Sequence, residues 1–81
     1  EDEEKLSLYI CFENFENMNL GFEKVKDIIS MNKGKSKVFL YCYNEKKSFR
    51  INENYNVKLT NKFIFELNKI FLQKNVKIVI K

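Results

Sequence analysis

The 81-residue chain has no histidine, no proline and no tryptophan, and only two cysteines and two glycines. Without histidine, the commonest general base and the commonest zinc ligand are both missing, so histidine triads and two-histidine metal sites are excluded. Cys11 and Cys42 stand far apart with no CxxC spacing, which leaves no ligand set for structural zinc. Two thiols are also too few for the disulfide framework of a secreted miniprotein. The expectation is two inert, buried, unpaired thiols in a reducing cytoplasm. A glycine-rich phosphate cradle cannot be built from Gly21 and Gly34 alone. The lack of proline argues against a flexible internal tail. No apolar run nears the roughly 20 residues of a membrane span; Val38 to Tyr43 has the length of a strand.

What is present suits one small folding unit. A chain this short is expected to form a single domain, and 44% apolar and 15% aromatic residues can furnish its core. Fifteen basic against 11 acidic residues give a net charge of +4. Four of the acids are packed into Glu1, Asp2, Glu3 and Glu4, so the remainder carries 15 against 7, or +8. Such a body can steer toward nucleic acid or an acidic protein surface, although abundant lysine also serves plain solvation. Residues 1–5 are expected to be an acidic disordered lead and residues 6–81 a single α+β domain. The opening on Glu, with no charged-then-apolar signal region after it, suggests a piece of a longer or processed protein.

Alternation of Leu6, Leu8, Ile10 and Phe12 with Ser7, Tyr9 and Cys11 predicts a strand over 6–12. Glu13 to Asn19 is polar and reads as loop, with Asn19 capping a helix over 20–32 whose apolar stripe is Phe22, Val25, Ile28, Ile29 and Met31 or Asn32. Gly34 is expected to stop that helix in the left-handed conformation. Strands over 37–43 and 48–51 flank the polar hairpin loop Asn44 to Lys47. Val57 to Leu59 suggests a short extra strand. Thr60 offers a cap to a helix over 61–72 with Phe63, Ile64, Leu67, Ile70 and Phe71 on its core face, and the chain closes in a strand over 75–80.

The order βαββαβ predicts a two-layer α+β fold, the ferredoxin-like split βαβ, with an antiparallel sheet and both helices on one face. Placing Leu6, Leu8, Ile10, Val38, Leu40, Cys42, Val76, Ile78 and Ile80 under the helices leaves a second face open. That face would carry Tyr9, Cys11, Phe39, Tyr41, Tyr43, Arg50, Lys77 and Lys81. The two cysteines then point in opposite directions, too far apart for a disulfide. Aromatics flanked by cations are what single-strand nucleic-acid binders present, so Tyr9, Phe39, Tyr41, Tyr43, Arg50, Lys77 and Lys81 are the candidate interaction face. The same residues equally suit a face packed on a neighbouring domain. The glycine-aromatic motif of an RNA-recognition domain fails here: its third strand would read Lys47-Ser48-Phe49-Arg50-Ile51. Glu13 and Glu16 have no partner base, and Glu23 and Asp27 interleave with Lys24 and Lys26 as solvation. No catalytic residue, metal site or cofactor is expected.

Lys5-Leu6-Ser7-Leu8-Tyr9-Ile10, an amphipathic helix ending in Lys33-Gly34, and Lys37-Val38-Phe39-Leu40-Tyr41 before a lysine-rich hairpin form one half of a longer pattern. Val57, then Phe63, Ile64, Leu67, Ile70 and Phe71, then Asn75-Val76-Lys77-Ile78 form the other. Together they resemble the extreme C-terminal domain of the alpha subunit of bacterial DNA polymerase III, lacking that family's proline before the first glycine and its glycine after the second helix. The resemblance implies a non-catalytic module of a DNA-directed DNA polymerase, a nucleotidyltransferase whose metal-binding carboxylates lie far upstream. It further implies a cytoplasmic tether that contacts the tau subunit of the clamp loader and neighbouring domains of the polymerase, with at most weak contact to single-stranded DNA and none to membrane.

Overall fold

Alternation of Leu8, Ile10 and Phe12 with Tyr9 and Cys11 makes Leu6–Phe12 a strand, β1, whose Leu8, Ile10 and Phe12 are sealed on one side. The computed structural model describes residues 2–80. After β1, helix α1 (Phe15–Ser30) leads to strand β2 (Lys33–Cys42), and a turn at Tyr43 to Lys46 returns the chain as strand β3 (Lys47–Arg50). Helix α2 (Asn61–Ile70) and strand β4 (Val76–Ile80) complete the fold. The chain is thus α+β in the expected order βαββαβ. Val25 and Ile29 of α1 and Phe63 and Leu67 of α2 join Leu8, Ile10, Phe12, Val38 and Leu40 in one buried cluster, with Val57.

The sheet is mixed rather than antiparallel, in the order β3-β2-β1-β4. β1 and β2 pair directly in parallel, with Leu8 beside Val38 and Ile10 beside Leu40, where a split unit would seat another strand between them. β3 and β4 pair antiparallel at the two edges. The strands' composition accounts for this placement. β1 is buried on both faces, as Ser7 and Cys11 show, which suits a central parallel strand. β3 is short and carries Lys47 and Arg50, which suits an edge.

Four local expectations are corrected. Helix α1 starts before residue 20 because Asn14, not Asn19, caps it: the Asn14 side chain accepts from the Asn17 N–H at 2.8 Å. The apolar stripe accordingly runs back through Met18, which packs on the core with Phe22. Gly34 is no left-handed stop, since α1 ends at Met31 with right-handed backbone and neither glycine has positive φ. It lies instead in β2, where its N–H donates to the Asn56 carbonyl at 3.1 Å and a Cβ would collide with the backbone of Val57 and Lys58. Val57 forms no strand of its own but makes isolated bridges to Lys33 and Ser36, fully buried. In place of the disordered lead, Asp2–Lys5 form a 3-10 turn, held because Ser36 Oγ donates to the Glu3 carbonyl at 2.8 Å and Lys35 N–H to Glu3 Oε1 at 2.9 Å. Glu1 lies outside the described residues.

Candidate interaction face

The pairing register brings the predicted face together. Lys77 of β4 stands opposite Tyr9 of β1, Tyr9 beside Phe39 of β2, and Phe39 opposite Arg50 of β3, so these four form one row across the open side. Tyr41 lies in the next row beside Cys11, and Tyr43 just beyond the end of β2. Lys81 lies outside the described residues. Cys11 belongs to this side and Cys42 to the other, and both are free and buried.

The aromatic rings are largely engaged with one another. Tyr9 and Phe39 stack with centroids 4.7 Å apart and planes 8° from parallel, while Tyr41 and Tyr43 meet edge to face at 5.5 Å. Rings stacked side by side on neighbouring strands turn their edges, not their faces, outward. A platform for nucleobases needs open ring faces. Between them lies a hollow of about 210 Å³ lined by Tyr9, Cys11, Tyr41, Tyr43, Lys77 and Val79. Tyr43, one of its lining residues, donates its hydroxyl to Asn75 Oδ1 at 3.4 Å. Hydrogen bonding with Cys11 raises the Tyr43 hydroxyl above its ordinary pKa, and burial and the neighbouring Cys11 and Tyr41 act the same way.

At the opposite end of the face the charge is mixed. A groove of about 420 Å³ brings Lys35, Lys37 and Arg50 together with Glu4 and Glu53. Of the cations expected to attract phosphates, Arg50 therefore shares its space with carboxylates, whereas Lys77 lines the hollow of tyrosines.

A third hollow, of about 390 Å³, opens at the C-terminal end of β1 between α1 and the end of α2, lined by Phe12, Glu13, Leu20, Gly21, Ile70 and Leu72 among others. Sequence reasoning missed it. Its signal was Gly21, placed mid-helix where a Cβ would strike the Phe12 ring. The second such signal was Leu72, apolar yet exposed beyond the end of the helix.

Glu23 pairs with Lys26 on the surface of α1 at 3.0 Å, and that hydrogen bond and charge raise the Lys26 pKa. Among the described residues no three of the Cys, Asp and Glu side chains gather as a metal site, and no helix is long and apolar enough to cross a membrane.

The chain is similar to the DNA polymerase III subunit alpha of Bacillus subtilis (strain 168), with 29% identity over 70 residues. The similarity takes in 86% of this chain but spans only 6% of the polymerase. No protein-family model and no solved structure matches the chain.

Proposed function

We propose that the chain is the extreme C-terminal, non-catalytic module of a bacterial DNA polymerase III alpha subunit, and that it tethers the polymerase to the tau subunit of the clamp loader. The observation that carries this reading is the extent of the similarity: nearly the whole chain aligns, yet it corresponds to a small fraction of a very large enzyme. In this reading nucleotidyl transfer belongs to the rest of the parent polymerase. A tether adds no chemistry; it raises the enzyme's effective concentration at the fork in the cytoplasm. Neighbouring domains of the polymerase are the second partner. The stacked Tyr9 and Phe39 rings, turned edge-outward, and Arg50 set among carboxylates support a protein-docking face. The row Lys77-Tyr9-Phe39-Arg50 favours the other reading, a single-strand binder, in which Tyr41→Ala would cost about 1–3 kcal/mol of oligonucleotide affinity.

Deleting this segment from the parent polymerase tests the proposal. Nucleotide addition on a short primed template should persist while tau binding is lost. Retention of tau by the truncated polymerase would overturn the reading.

A further inference from the structure

The two edges of the sheet differ in kind. β3 is four residues long and bears Lys47 and Arg50, the usual means of discouraging a further strand. β4 reads Val-Lys-Ile-Val-Ile and buries almost nothing: Ile78 is 45% exposed, Val79 40% and Ile80 76%. Its register with β1 sets Val76, Ile78 and Ile80 on the same side as Leu8 and Ile10, where helices were expected to cover them. Its main neighbours are β1 and the short turn Gln73–Asn75 that leads into it, and no described strand pairs with its outer edge. A β-prone, apolar, unpaired edge is a template for strand addition.

Charge decides what such a strand must carry. After Glu66 the sequence contains no Asp or Glu but has lysines at 69, 74, 77 and 81. Lys77 is the one charged residue within β4, and a second copy of this basic segment would offer it no counter-charge. We propose that the outer edge of β4 receives an extended segment of another protein in which acidic and aliphatic residues alternate. Its backbone continues the sheet, its aliphatic side chains cover Ile78 and Ile80, and its carboxylates face Lys77 on the open side. The hollow of Tyr9, Tyr41 and Tyr43 beside Lys77 and Val79 lies on the side that the carboxylates face. This inference stands on the edge alone and needs no place in a replication assembly.

The test uses the 81-residue chain and two acetylated, amidated peptides, Ser-Glu-Val-Glu-Val-Glu-Ser and its counterpart with lysine for glutamate. The acidic peptide should bind at least tenfold more tightly and protect backbone amides within Val76–Ile80 from exchange. Lys77→Glu, at an exposed position, should reverse the preference. Equal binding of the two peptides, no binding of either, or shifts confined to Tyr41 and Arg50 would overturn the proposal. Displacement of the acidic peptide by oligo(dT) from β4 would assign the edge to nucleic acid and overturn it as well. Concentration-dependent protection of β4 without any peptide would give the edge to a second copy and would likewise overturn it.

Discussion

The closed and open faces of the sheet alternate residue by residue along the same strands: Leu8, Ile10, Val38 and Leu40 on one side, Tyr9, Cys11, Phe39 and Tyr41 on the other. The closed face is sealed by two helices' worth of aliphatic and aromatic side chains. The open face carries rings that lean on one another and leave a hollow beside Lys77. One face therefore holds the core of the fold, and truncation of the rings on the other should cost less stability.

That contrast predicts unequal costs for similar truncations. Phe63→Ala, in the fully buried cluster, should destabilise the chain by about 3–5 kcal/mol through lost burial and the cavity left behind. Tyr41→Ala, on the open face, should cost about 1 kcal/mol, mainly its edge contact with Tyr43. Urea unfolding of both variants checks the ranking, and equal losses would break the distinction between the faces. Gly34→Ala should lie between them, at about 1–3 kcal/mol, because the atoms a Cβ would meet are backbone and cannot swing aside. A neutral Gly34→Ala would show that the close approach of β2 to Val57 is not required.

The smallest effect concerns the thiols. Burial, and secondarily the charge of Glu45, push the Cys42 thiol pKa up. A raised folded pKa means that the native chain keeps the proton longer than the unfolded chain does. The resulting stability is present below the thiol's ordinary range and is lost as pH rises through the folded value. Urea midpoints in wild type should therefore fall more on alkaline titration than in Cys42→Ala. Alkylation of the native protein at neutral pH should be slow at both cysteines, and two thiols should react once it is denatured.

The closed face was legible in the sequence because burial leaves a periodic trace: Leu6 to Phe12 announced β1, and Phe63 and Leu67 announced α2. The open face was legible as a set of residues for the same reason, since strand phase alone puts Tyr9, Phe39, Arg50 and Lys77 together. The way its rings stack depends on neighbouring strand order, which periodicity does not encode. Strand order was also what the sequence concealed about the sheet, because a crossover helix can return the chain beside β1 or one strand farther away. The start of α1 was missed because Asn14 and Asn19 are equivalent caps until Met18 is seen to pack inward. Gly34 was misread because a glycine after a helix suggests a left-handed turn as readily as a close backbone crossing.

Whether this module docks protein rather than single-stranded DNA is measured most directly by titrating the chain with tau and with a single-stranded oligonucleotide at low and moderate salt. Tau should bind at both, whereas oligonucleotide binding should be weak and fall steeply with salt, as nonspecific contact with phosphates does. Tight, salt-tolerant oligonucleotide binding, abolished by Tyr41→Ala and accompanied by no response to tau, would contradict the docking role.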